Sequence, residues 1–411
     1  MAREVPEETE MPLSWADSGQ SILKLNIRHL WLFGAWPLSG SWFYDVYNAF
    51  CLAMGVWNAI ESSLSLYYSW GDMDETTLVF ISAFTNACGT AKMALFMRSR
   101  RQYNALARRV EVLMSVQSEF CSADPALADI RRGSQRRASR LTIGLLFLMF
   151  SQYPVWFPMP IITQPEQRRL PLVQHGWDNN TNYYELSYAL QCMLATWATQ
   201  LSNSVDLLFV TVMILTAAEM RILTLRIVSL KSENNEVGLV KRDNVVIGQT
   251  ENTCDDEMYE KLCQCIESHQ KVIRFVKQLE NSMSSIVMLQ FYFSVLIICV
   301  TLFQATYSTD YSSVLKSVSY LPVPAGQIYL YCWAAHNVTE QAEAVTLAAY
   351  GCSWLEASPR FKRALRILMC RAQKSLVITA AHLYPMSKDT FVSLVNASYS
   401  FYALLGQMNR R

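Results

Sequence analysis

The stretch TTLVFISAFTNACGTAKMALFMRSRRQYNALARR, Thr76 to Arg109, runs from an apolar segment straight into a block of arginines. Residues 76–97 carry the apolar part, and about 20 helical residues suffice to cross a hydrocarbon core of about 30 Å. Comparable runs lie at 42–68, 141–161, 186–218, 284–305, 321–350 and 389–408, so the reading is of seven spans. The sixth turns polar after Ala335, with His336, Asn337, Glu340, Gln341 and Glu343. Of 411 residues, 52% are hydrophobic and only 17% charged, on the apolar side of soluble proteins. The fold class expected is an all-α membrane protein with substantial soluble parts.

Orientation follows from the basic residues. Segment 98–140 holds ten arginines, 219–280 nine Lys/Arg and 351–374 six, whereas the alternating loops 69–75, 162–185 and 306–320 hold none, two and one. The positive-inside rule places the first set in the cytosol, and the arginines of 98–109 and 131–140 abut the ends of spans, where that rule is strongest. With seven spans the N-terminus is cytosolic and the C-terminus extracellular. The first twenty residues set Arg3 against Glu4, Glu7, Glu8, Glu10 and Asp17, so no signal peptide is expected.

None of the 11 cysteines falls in the three outside loops, so no disulfide framework is expected. Cys263, Cys265, Cys299 and Cys332 read as buried or reduced thiols, since no histidines stand at ligand spacing. Asn179, in Asn-Asn-Thr within the outside loop, is a glycan acceptor candidate; Asn337 and Asn396 fall inside spans.

The stretch 20–38 mixes apolar residues with Lys24, Arg28 and His29, which suits an interfacial helix or a packed helix equally. Segments 186–230 and 257–305 contain no proline or glycine, so each reads as one helix longer than the bilayer and projecting into the cytosol. Between them, 231–256 reads as a polar, mobile loop. The projecting part carries an apolar stripe, Leu262, Ile266, Val272, Val276 and Leu279, which is expected to need burial on another helix or another subunit. Ser358-Pro359 caps an amphipathic helix with Phe361, Leu365, Leu368 and Met369 on one face and Lys362, Arg363 and Arg366 opposite. Ser387 caps the last span, with Asp389 in its first turn. The domain boundaries expected are 1–40 as a cytosolic N-terminal segment, 41–350 as spans one to six, 351–386 as a cytosolic helix and linker, and 387–411 as the last span. Nucleotide-binding, zinc-protease and nucleophile-elbow motifs are missing, the five histidines show no catalytic pairing, and no enzyme activity, cofactor or nucleic-acid partner is expected.

The chain's last sixty residues resemble the insect odorant receptors, including their shared co-receptor. The resemblance rests on Tyr350 and Trp354, Gln373-Lys374, and Asp389, Phe391, Ser393 and Gln407. The wider gustatory and odorant receptor signature, Thr-Tyr, five apolar residues, Gln-Phe, stands here as Ser400-Phe401, Tyr402 to Gly406 and Gln407-Met408, with the glutamine alone unchanged. The first 320 residues carry less of this signal. The resemblance implies a ligand-gated, non-selective cation channel of four subunits in the plasma membrane of sensory neurons. Cytosolic helices would form an anchor domain, and small volatile organic compounds would bind in a pocket opening outward. The short second cytosolic loop and the altered signature suit an odour-tuned subunit partnered with the co-receptor, through contacts around 258–280 and 356–374.

Carried over residue by residue, the pore is expected at Ser400, Leu404, Gln407 and Met408, with Leu404 matching the family's hydrophobic gate. For Gln407, an amide meeting water at the headgroup level is an equal reading. The ligand site is expected among Phe80, Phe84, Gln152, Tyr153, Trp156, Tyr188, Met193 and Tyr329, with Trp156 at the position resembling the family's pocket tryptophan. A homomeric gustatory-type channel is the nearest alternative. A G-protein-coupled receptor is disfavoured by the inverted charge bias and by the missing motifs of that class. A transporter would need intramembrane charges, and the candidates, Lys92 and Asp206, are both expected to reach the cytosolic side of their spans.

Overall fold

A computed structural model describes residues 19, 21–36, 42–123, 125–163, 168–172, 183–230 and 247–409. Helices make up nearly all of it, in the order α1 (Lys24–Leu32), α2 (Trp42–Tyr68), α3 (Met73–Arg98), α4 (Arg100–Ala123), α5 (Pro125–Phe150), α6 (Tyr153–Trp156), α7 (Met159–Thr163), α8 (Tyr184–Val228), α9 (Ile247–Tyr307), α10 (Tyr311–Tyr320), α11 (Pro322–Gly351), α12 (Pro359–Ala372) and α13 (Lys388–Asn409). Strands β1 (Thr379–Ala380) and β2 (Tyr384–Pro385) pair antiparallel between α12 and α13.

Among the described residues, five segments are long and apolar enough to cross a membrane: Trp42–Tyr68, Met73–Arg98, Pro125–Thr163, Tyr184–Val228 and Asp256–Tyr307. The 30-residue α11 and the 22-residue α13 are more polar yet are about 45 and about 33 Å long at about 1.5 Å per residue, enough to cross, and they complete the seven. Burial on α2 shows the solvent such helices need. Its inward residues are Asn48, Cys51, Gly55, Asn58, Ser62 and Ser65, mostly polar or small, while Trp42, Phe43, Phe50 and Trp57 are exposed. Polar groups inside and aromatics outside suit lipid, where polar groups find partners only on neighbouring helices.

The long α8 is the hub, packed along α11 and also against α3, α5 and α9. Its residues 200–220 are buried throughout. Helix starts follow the capping chemistry. Asp72 accepts from the backbone N–H of Asp74 at 3.0 Å, and Ser387 from that of Thr390 at 3.2 Å. Ser358 accepts from the Phe361 N–H at 3.4 Å, and Phe361, Leu365 and Leu368 are buried as the spacing predicts.

Two expectations, the first and the fourth below, need correction, and two alternatives that the sequence left open, the second and the third, are resolved. First, α9 begins at Ile247, so 247–256 belongs to the helix and only 231–246 of the expected loop lies outside the described residues. No proline interrupts 247–256, so a helix already stabilised by packing can extend through it. Second, the stripe of Leu262, Val272, Val276 and Leu279, with Ile266 half-buried against the same core, is covered within this one chain, so it does not require a second subunit. Apolar residues left exposed in this region include Leu347, Tyr350, Leu355 and Ile367. Third, α1 is a packed helix rather than an interfacial one: Ile27 and Leu30 are fully buried, and His29 Nδ1 pairs with Ser204 Oγ of α8. Fourth, Lys92 and Asp206 do not run to the cytosol but meet inside the bundle. Lys92 Nζ donates to both Asp206 oxygens at 2.7 and 2.8 Å, and the Tyr331 hydroxyl donates to the same carboxylate at 2.8 Å.

The apolar piece after α12 forms a hairpin that the composition did not announce. The Leu383 N–H donates to Ala380 O at 3.0 Å, and the two central residues, Ala381 and His382, have φ of 49° and 56°. That is the primed turn that matches strand twist. Glu280 of α9 accepts from the Thr379 N–H at 3.0 Å, and Ser284 Oγ donates to Thr379 O at 3.1 Å, which seats the hairpin on α9 just before α13 begins.

Candidate ligand-binding site

The prolines of SQYPVWFPMP, Pro154, Pro158 and Pro160, break the third span after Phe150 into α6 and α7. The break turns Gln152, Tyr153 and Trp156 inward, towards α3, α8, α9 and α11. These elements enclose a cavity of about 100 Å³. Its apolar wall is a small cluster separate from the main core, centred on Ile81, Trp156 and Ile297 with Phe157 and Leu172 beside it. Such a wall holds a small organic molecule chiefly by burying apolar area, at about 25 cal/mol per Å².

The opposite side is polar and internally bonded. Gln290 Nε2 donates to Gln327 Oε1 at 2.6 Å and to Ser294 Oγ at 2.8 Å, Gln327 Nε2 donates to Asn203 Oδ1, and Cys88 Sγ to Gln290 Oε1 at 3.5 Å. Nearer the prolines, Gln200 Nε2 donates to the Tyr153 hydroxyl at 2.9 Å, which also pairs with Thr199 Oγ1 at 2.9 Å. Ser202 lines the cavity and accepts from Lys92 Nζ at 3.2 Å, so the buried ion pair lies directly beneath it.

A second cavity, of about 230 Å³, shares Trp156 and Leu172 with the first and is bounded by Asp72, Glu75, Arg169, Asp310 and Lys316. Its charged residues come from all three loops assigned to the outside by their scarcity of basic residues. It is therefore a charged vestibule above a chamber with one apolar and one polar wall, with Trp156 in the partition. Lys316 is only 7% exposed, and its Nζ lies 5.8 Å from the centre of the Trp156 ring. Burial pushes the Lys316 ammonium down to about 8, against the opposing pull of the Asp310 carboxylate. Raising the external pH from 7 to 9 discharges this group, because the depressed value favours the neutral amine. The cation over Trp156 is lost in that window, and a change in apparent ligand potency between pH 7 and 9 is expected that Lys316→Met abolishes. A potency–pH profile unaffected by the substitution would remove Lys316 from the path.

Of the residues expected to hold ligand, Gln152, Tyr153 and Trp156 are brought together around the cavity. Phe84 packs on the surrounding cluster, stacked with Phe80 at 4.2 Å and edge-on to Phe293 at 5.6 Å. The Tyr188 hydroxyl donates to Phe157 O and thereby steadies the segment after α6. Met193 is exposed, and half-exposed Tyr329 packs edge-on against Phe391 of α13 at 5.4 Å, away from the cavity lining. The polar lining of Cys88, Asn203, Gln290 and Gln327 escaped the sequence reading, although amides within an apolar span are a signal for interhelical bonding. Asn179 lies outside the described residues.

On α13 the four expected pore residues fall on one uncovered face. Ser400, Leu404, Gln407 and Met408 are spaced i, i+4, i+7 and i+8, and all are exposed. Ser398 and Gly406 are the buried residues of α13, and a side chain built on Gly406 would meet the Tyr307 hydroxyl of α9.

The family model described as 7tm Odorant receptor matches residues 72–399. The chain belongs to the odorant receptor family. It is 24% identical over 391 residues to Odorant receptor Or2 of Anopheles gambiae, covering 93% of this chain and 97% of that protein. It is likewise 24% identical over 351 residues to Odorant receptor 10 of Aedes albopictus, covering 83% and 87%. The fold is similar to that of the olfactory receptor OR5 from Machilis hrabei, with a TM-score of 0.76, 18% identity, and 94% and 97% of the two chains covered. The OR5 structure in complex with eugenol aligns with a TM-score of 0.75. This odorant receptor is therefore a seven-span, all-α, multi-pass membrane protein.

Proposed function

We propose that this odorant receptor is the odorant-binding subunit of a ligand-gated, non-selective cation channel, assembled with co-receptor subunits as a heterotetramer in the plasma membrane of sensory neurons. The observation that carries the proposal is the uncovered face of α13. Leu404 and Met408 are 55% and 66% exposed, and with Ser400 and Gln407 they offer an apolar constriction beside polar groups, as a hydrated ion path requires. Four such helices about a central axis would cover that face. The cavity behind α6 supports the ligand half of the reading, in line with a related receptor solved in complex with eugenol. Leu347, Tyr350, Leu355 and Ile367, exposed on and around α12, are the apolar groups suited to contact a neighbouring subunit. Asn179 stays the proposed glycan acceptor on the outer side.

Odorant-evoked current is to be recorded in cells expressing this chain, the co-receptor, or both. Current that needs both and persists when G-protein signalling is blocked is expected. Cysteine at Leu404 or Gln407 should change relative ion permeability or confer block by thiol reagents. Robust current from this chain alone would favour the homomeric, gustatory-type alternative, and loss on G-protein block would overturn the channel reading.

A further inference from the structure

Two buried polar atoms in side chains that line the ligand cavity have no hydrogen-bond partner: the Gln152 amide oxygen and the Trp156 indole nitrogen. The two residues stand one helical turn apart, with the Trp156 backbone N–H donating to Gln152 O at 3.0 Å, so their side chains share a face. Their polar neighbours are already committed. Tyr153 is held by Thr199 and Gln200, Tyr320 pairs with Thr85 at 2.9 Å, and Gln290, Gln327 and Asn203 form a chain. A buried donor or acceptor left alone carries its full desolvation penalty, so a ligand that satisfies it gains more than one that meets an already bonded group.

The chemistry of the pair selects the ligand's polar group. An indole N–H only donates, and an amide oxygen only accepts. One atom that answers both must accept one hydrogen bond and donate another, which a hydroxyl does. An ether, ester or carbonyl oxygen accepts from Trp156 and leaves Gln152 unmet, and a hydrocarbon leaves both unmet. A protonated amine leaves the indole unmet and brings a charge into a lining that contains no carboxylate. Size limits the remainder: about 100 Å³ is of the order of the roughly 150 Å³ apolar cavity known to take a benzene ring. Resting on the reading that this cavity binds the odorant, we propose that the receptor's ligands are small alcohols or phenols of about one ring, whose hydroxyl accepts from Trp156 Nε1 and donates to Gln152 Oε1.

The test uses the full chain with its co-receptor and matched sets of alcohol, methyl ether, aldehyde and hydrocarbon on aromatic, alicyclic and short aliphatic skeletons. Within the skeletons that respond, the alcohol is expected to be about tenfold more potent than its ether. Trp156→Phe keeps the ring and removes the N–H, and Gln152→Leu keeps the bulk and removes the acceptor. Each is expected to bring the alcohol-to-ether ratio close to one, a ratio that a general loss of folded receptor does not move. Equal or greater potency of ethers or aldehydes, an unchanged ratio in both variants, or no response to any alcohol overturns the proposal. Ala195→Phe, on the opposite wall, separates the two levels of the argument once its surface expression is verified. If it abolishes responses while alcohols hold no advantage, the hydroxyl assignment alone fails; if it alters no response, the cavity is not the binding site.

Discussion

Lys92→Met is expected to deplete folded receptor, at a cost of about 3–5 kcal/mol, because it leaves the Asp206 carboxylate buried without its counter-charge. Both groups lie inside the bundle, with side-chain exposures of 0% for Lys92 and 8% for Asp206. In hydrocarbon an ionisable group persists by pairing, and this pair also takes in the Tyr331 hydroxyl and Ser202 Oγ. It ties α3, α8 and α11 together beneath the cavity behind α6. Asp206→Ala should be comparably damaging, since it strands the ammonium. Replacing both, as Lys92→Met with Asp206→Leu, should recover part of the loss, because a buried pair exchanged for apolar residues of similar volume is often tolerated. Recovery stays incomplete while Tyr331, fully buried, keeps a hydroxyl without its acceptor. Surface expression and thermal unfolding of detergent-extracted receptor measure this. A single Lys92→Met with wild-type unfolding temperature would show that the pair does not hold the bundle.

Gly406→Val is expected to abolish odorant-evoked current while leaving most of the receptor at the cell surface. A Cβ at this position would sit 2.6 Å from the Tyr307 hydroxyl and 3.4–3.5 Å from its ring atoms. A methyl requires the Tyr307 side chain to swing. The branched valine pushes α13 off α9, and overpacking of this kind costs about 1–3 kcal/mol. Because α13 is also held by the Tyr402 hydroxyl on Thr306 Oγ1 at 3.3 Å, the displacement is concentrated near the outer end, where Leu404, Gln407 and Met408 face outward. Tyr307→Ala in the same chain should restore current by removing the obstacle. Wild-type current from Gly406→Val alone would mean that α13 does not lean on α9 there.

The seven spans were legible because each is a local property, an apolar run of sufficient length with its basic flank, and no distant residue alters that sum. The caps at Ser358 and Ser387 were legible for the same reason: the acceptor and the N–H it meets lie three residues apart. Tertiary packing alone decided the partners. Lys92 and Asp206 are 114 residues apart, and each by itself reads as an ionisable side chain heading for water. The Gln290–Gln327–Asn203 chain joins three helices whose rotations about their axes no single segment fixes. The cytosolic stripe of α9 shows the limit most directly. Its spacing determined that Leu262, Val272, Val276 and Leu279 must be covered, and only the three-dimensional arrangement determined that the same chain covers them, because hydrophobic burial is non-directional and does not name its partner.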